Sequence, residues 1–140
     1  MKGKIDMDMQ TERIKGILGN DCKRSKRNAM RYLTYLKKQI KGPITLTGIE
    51  EFEWEVSYIS WGWDDPAYLE MKELKPSFLD HFELIELCEP DSDGDDIVAF
   101  VERMGDGKRF HISLSKLECL EFKNECYQLV DDYAVWHRYF

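Results

Sequence analysis

Apolar residues recur every three to four positions over one early stretch of this chain and mostly at every second position later. Ala29, Met30, Leu33, Leu36 and Ile40 set the first rhythm, with Tyr32 beside them. That spacing predicts an amphipathic helix over roughly 26–41. Ser25 stands where an N-cap belongs, and Gly42-Pro43 stops the pattern. The residues ahead of it, with Gly3, Gly16 and Gly19, show only weak periodicity. They predict a flexible N-terminal segment over 1–22, holding at most a short helical piece around Thr11–Leu18. After Pro43 the period changes. Ile44, Leu46 and Ile49 suggest a first strand, and Phe52, Trp54 and Val56 alternate with Glu51, Glu53 and Glu55 as a second. Trp61 to Pro66 reads as a turn, and Asp65 is placed to cap a short helix opening at Pro66. His81–Cys88 and Asp96–Arg103 read as strands. Gly105-Asp106-Gly107 turns the latter back into Lys108–Leu114 as a hairpin. Ser115–Phe122 reads as a last short strand or turn, and Asp131–Trp136 as a terminal helical turn.

One helix followed by several short antiparallel strands predicts an α+β protein. The expected architecture is a basic amphipathic helix packed on a small, strongly bent or barrel-like antiparallel sheet, with a single domain over 23–140. A length of 140 residues suits one domain and suffices for a core without metal or disulfide support.

Charge changes the picture. Residues 1–42 hold 12 Lys and Arg against 4 Asp and Glu, a balance of +8. Residues 43–140 hold 8 against 23, a balance of −15, so that the chain carries −7. A basic arm is thus joined to an acidic body, and the arm is expected to lie on that body. No apolar run approaches the ~20 residues of a membrane span, and Met1–Gln10 has no apolar signal core, which makes a cytoplasmic location the expectation. The cysteines lack Cys-x-x-Cys spacing, and Cys88 and Cys119 read as small core residues.

The candidate chemistry is oxygen chemistry. Glu89-Pro90-Asp91-Ser92-Asp93-Gly94-Asp95-Asp96 concentrates carboxylates in a turn, the kind of hard-ligand set that Ca²⁺ takes. Asp91, Asp93 and Asp95 stand at the first, third and fifth places of an EF-hand loop, with Glu102 at the twelfth. The sixth place, where that loop needs glycine, is Asp96. The chain then enters a strand, and five strand residues span ~16 Å, so Glu102 falls out of reach. A looser shell from Asp91, Asp93, Asp95 and Asp96 with carbonyls and water is the first candidate. Glu51 and Glu53 with a neighbouring loop are the second, weighed against pairing of that row with Lys37, Lys38 or Lys41.

Several segments together resemble a known family. Leu46-Thr47-Gly48-Ile49-Glu50-Glu51-Phe52-Glu53-Trp54-Glu55 is similar to its opening. Val101-Glu102-Arg103-Met104-Gly105-Asp106-Gly107-Lys108-Arg109-Phe110 followed by Leu114-Ser115-Lys116-Leu117-Glu118 is similar to its hairpin. Asn124, Gln128-Leu129 and Asp131-Asp132-Tyr133-Ala134-Val135-Trp136 resemble its close. The family is the cyanobacterial-type small acidic calcium-binding proteins, and the resemblance covers about residues 27–138. Most of the matching residues are fold residues: turn glycines, core aromatics and a terminal tyrosine. The resemblance implies a bacterial calcium-binding protein, a buffer or a sensor acting through a regulatory protein partner. The alternative on the same charges is a metal-independent module that binds a basic partner through its acidic face. The −15 of the body opposes binding to nucleic acid. No phosphate loop, nucleophile elbow or paired histidine motif points to an enzyme.

Overall fold

A computed structural model describes residues 4–59, 65–121 and 124–140, which form five helices and five strands. In chain order these are α1 (Lys4–Leu18), α2 (Lys26–Gln39), β1 (Thr45–Gly48), α3 (Glu53–Ile59), α4 (Pro66–Leu74), β2 (His81–Cys88), β3 (Val98–Arg103), β4 (Arg109–Ser113), β5 (Leu117–Cys119) and α5 (Glu125–Tyr139). A short 3₁₀ turn, Leu114–Lys116, precedes β5. The strands form one antiparallel sheet in the order β4-β3-β2-β1-β5. The fold is α+β, as the hydrophobic pattern predicts, but the sheet is open rather than barrel-like, with β4 and β5 at its edges.

Helix α2 forms for the reasons its sequence gives. Ser25 accepts the Asn28 N–H, and the buried Ala29, Tyr32, Leu33 and Leu36 make one apolar face. The helical piece expected around Thr11–Leu18 is part of a 15-residue helix whose Ile14 and Leu18 are buried in the core. The terminal helical turn is likewise a full helix. Asn124 caps α5 by accepting the Cys126 N–H at 2.9 Å, and Cys126, Val130, Tyr133 and Trp136 repeat at helical spacing along its buried side. Tyr32 meets the Tyr133 ring edge-on at 5.1 Å, and Trp136 Nε1 donates to the Cys22 carbonyl at 2.7 Å. These contacts fasten α2, α5 and the connection after α1 together, in one core with Ile14 and Leu18 of α1 and the sheet residues Leu46, Phe82, Ala99 and Val101.

The expected strand through Phe52, Trp54 and Val56 is a correction: residues 53–59 are helix α3. Alternation failed as a guide because the three apolar residues do not share a buried side. Phe52 is buried, Trp54 is half-buried and Val56 is 59% exposed. The deciding group is Glu55. Its carboxylate accepts the Phe52 N–H in capping-box fashion, and also takes the Phe78 N–H, the Tyr68 hydroxyl and the Ser77 hydroxyl, at 2.6–3.2 Å. Four donors satisfy a fully buried carboxylate, which would otherwise be too costly to desolvate. Burial, and then the bond to Glu55, pushes the Tyr68 hydroxyl up to about 12. Asp65 caps α4 as expected. The rest of the tryptophan-rich turn, residues 60–64, lies outside the described residues, as do Phe122 and Lys123.

Arg103 closes the far end of the sheet. Its guanidinium donates to the carbonyls of Lys72, Glu73 and Lys75 at the end of α4, and to Asp80 and Asp106. A cation there meets carbonyls that have no partner within the helix. Gly48 lets β1 pass the 76–80 loop, since a Cβ would fall 2.5 Å from Phe78 Cβ.

Two outcomes follow. Leu36→Ala should destabilise the domain by roughly 2–5 kcal/mol, because a fully buried leucine leaves a cavity. Lys38→Ala on the exposed side should stay within about 0.5 kcal/mol. Urea unfolding measures both. The Arg103 bond, then the Lys108 N–H, holds the Asp106 carboxyl down to about 2, below its ordinary 3.8. Asp106 therefore contributes stability that is present above about pH 4 and is lost as pH falls through about 2. In thermal melts between pH 5 and 2, Asp106→Asn should lower stability at the upper end and flatten the acid fall.

Candidate functional site at the acidic turn

The acidic turn is the connection between β2 and β3, and its two halves differ in what holds them. Pro90 is buried, and the Gly94 N–H closes a tight turn on the Asp91 carbonyl at 2.8 Å. In this first half Asp91 and Asp93 are exposed, and neither carboxylate has a hydrogen-bond or ion-pair partner among the described residues. The backbone alone is tethered: Lys26 Nζ, at the start of α2, donates to the Ser92 carbonyl at 3.1 Å.

The second half is committed. Asp96 accepts the Tyr133 hydroxyl at 2.8 Å, together with the Ser115 hydroxyl and N–H. Tyr133 in turn accepts the Ile97 N–H at 2.7 Å, so one phenol joins the first buried residue after the turn to the carboxylate that ends it. Burial, and then the neighbouring Asp96 charge, pushes this hydroxyl well above the ordinary tyrosine range, which keeps it a donor. Asp95 faces His137 Nε2 at 2.9 Å and Arg24 Nε at 3.2 Å, and His137 Nε2 lies 3.7 Å from Asp96. Arg24 also donates to the His137 carbonyl in the last turn of α5. Beside this cluster lies a cavity of about 270 Å³, lined in part by Arg24, Asp96, Ser115, Lys116 and His137.

The sequence therefore places Asp91, Asp93, Asp95 and Asp96 together, and the fold separates their roles. Asp91 and Asp93 are open to solvent. Asp95 is shared by two basic groups, and Asp96 is a structural acceptor. Glu51 and Glu53 stand on a different element, just before and at the start of α3. With residues 53–59 helical, two-residue spacing turns Glu53 and Glu55 about 200° apart, so the row of three glutamates does not exist. Glu53 is exposed, Glu51 is half-exposed, and Glu55 is buried under its own donors. Among the described residues no three His, Cys, Asp or Glu side chains converge as metal ligands. Hard oxygen donors fit Ca²⁺ chemically. The open part of the turn offers two carboxylates and backbone carbonyls, a shell that water must complete rather than a closed cage.

Arg24, Ser115, Tyr133 and His137 were not legible as members of this site. The closest sequence signal was the aromatic, acidic ending at 131–136, which marks fold residues. Other carboxylates are also structural. Asp132, buried, takes Arg13 through two bonds at 2.7 and 3.0 Å, as well as Gln10.

No family model and no curated protein matches the sequence. The fold is similar to that of the crystal structure of Anabaena CcbP, a cyanobacterial calcium-binding protein. The TM-score is 0.58 and the identity 15%, covering 92% of this chain and 89% of that one. At that identity the likeness is one of fold. Among the described residues no helix is long and apolar enough to cross a membrane.

Tyr133→Phe should remove a donor from Asp96 and leave the buried Ile97 N–H without its acceptor. The expected cost is about 1–3 kcal/mol in chemical denaturation. Hydrogen exchange at Ile97 should accelerate, while that of α2 tracks the global change alone.

Proposed function

We propose that this chain is a calcium-binding protein, a buffer or sensor, that takes the ion at the outer half of the acidic turn. The observation that carries the reading is the pair Asp91 and Asp93, exposed and unmatched by any cation among the described residues, on a fold similar to that of a calcium-binding protein. Asp91 and Asp93 would hold the ion, with carbonyls and water. Asp95 would join by giving up Arg24 or His137, whereas Asp96 would stay with Tyr133 and Ser115. Bound Ca²⁺ relieves the repulsion between neighbouring carboxylates, and no further chemistry is asked of it. The reading is of a binding protein rather than an enzyme, held in the cytoplasm and acting through a regulatory protein partner.

The metal-independent alternative has one observation in its favour. Arg24 and His137 already dock on Asp95, so the turn accepts basic groups from within the chain. Asp91 and Asp93 would accept them from a basic partner.

Calorimetric titration should give calcium binding with a dissociation constant on the order of 10⁻⁵ to 10⁻³ M, because two carboxylates on a hydrated turn form a weak site. Asp91→Asn with Asp93→Asn should weaken it roughly tenfold or more, since affinity follows ligand charge. Glu51→Gln with Glu53→Gln should leave it nearly unchanged. A larger loss from the glutamate pair would move the site to α3, and absence of heat at millimolar Ca²⁺ would favour the metal-independent alternative.

A further inference from the structure

The basic end of the charge map is neutralised only in part, through Arg13 on Asp132 and Arg24 on Asp95. Helix α2 is fixed through its apolar face, and the opposite side leaves Arg27, Arg31 and Lys38 exposed. Steps of four and seven residues place these three in one row, with small Thr34 between them. Neither they nor Lys41 beyond them forms an ion pair among the described residues. Arg31 Nη1 donates to the Leu18 carbonyl at 3.2 Å, which steadies the guanidinium and leaves its remaining N–H donors available. The Thr34 hydroxyl is turned back to the Met30 carbonyl.

We propose that this face of α2 docks a short acidic polypeptide segment of a partner protein. From Arg27 to Lys38 the row is about 16 Å long at the helical rise, with Arg27 and Arg31 about 6 Å apart and Lys38 about 10 Å further on. An extended chain places alternate side chains about 7 Å apart and covers that length in roughly five residues. A segment with Asp or Glu at every second position therefore sets one carboxylate near each of the three cations, the long Lys38 side chain reaching back over the last ~3 Å. A nucleic-acid duplex meets the same cations but runs on past them. It would then approach the acidic turn, which Lys26 ties to the N-terminal end of α2, and Glu86, which borders the cavity beside Lys37. Phosphates there would face carboxylates that a Debye length of about 8 Å does not screen. A segment of about five residues spans the row and adds no charge beyond Arg27 or Lys38. The proposal does not rest on the calcium reading.

The test is fluorescence anisotropy on the full chain with a labelled peptide of about ten residues alternating Glu and Ser, in chelator, at low and physiological salt. The expected result is saturable, salt-sensitive binding that Arg27→Glu with Lys38→Glu weakens about tenfold or more. Arg109→Glu, the same kind of reversal on edge strand β4, should change it less than about twofold, because exposed charges beyond a Debye length are screened. Circular dichroism establishes that each variant is folded. No binding to the peptide, or equal loss in both variants, overturns the proposal. So does tighter binding of a duplex of about 20 base pairs through the same residues, which makes the face a nucleic-acid surface.

Discussion

The Tyr133 hydroxyl is the point on which the acidic turn depends. It takes the Ile97 N–H and gives its proton to Asp96, while Ser115 supplies Asp96 with two more donors. Ile97 is fully buried, so the end of the turn is fixed in the core by a backbone bond and a carboxylate at once. The tyrosine ring packs edge-on and tilted within the Tyr32–Trp136 cluster. The position of the turn is thus set by the same aromatic packing that joins α2 to α5. Five acidic side chains can crowd between β2 and β3 because the last of them is spent as a structural acceptor.

The rest of the acidic surplus divides along similar lines. Glu55, Asp132 and Asp80 each serve one buried or half-buried junction, and each is matched by a donor from a distant part of the chain. Such carboxylates are needed where they are and are poor candidates for a ligand, since removing their partners leaves a buried charge. What remains for binding are carboxylates that no donor reaches among the described residues, and in the acidic turn these include Asp91 and Asp93. The cations divide too: Arg13 and Arg103 are structural, while the outer row of α2 stays open. The molecule presents an acidic turn and a basic helix face side by side without one cancelling the other.

Periodicity made much of the fold legible. The α2 stripe, its Ser25 cap, the Asp65 cap and the strands from His81 to Ser113 follow from apolar spacing and turn residues. It misled where charge and aromatic residues alternate by chance. Glu51 to Val56 has a two-residue rhythm, yet Glu55 takes four donors, the Phe52 N–H at the helix start, the Tyr68 and Ser77 hydroxyls and the Phe78 N–H, which the fold brings together. Helix α1 was hidden because its apolar residues are sparse and its burial depends on α2 and α5. The site was half legible. The carboxylate cluster is visible in composition, but the division between open and committed carboxylates is set by Arg24, Ser115, Tyr133 and His137. These are brought in by folding and carry no spacing signal of their own.

The most direct test of this account is an amide-resolved NMR titration with Ca²⁺, using Mg²⁺ as the control. If the outer half of the turn takes the ion while the Tyr133 junction holds, saturable shifts will concentrate at residues 91–95, with smaller ones at Arg24 and His137. The Ile97 amide will keep its protection throughout. Shifts centred on Glu51 and Glu53, loss of Ile97 protection on binding, or no response at millimolar Ca²⁺ would contradict it.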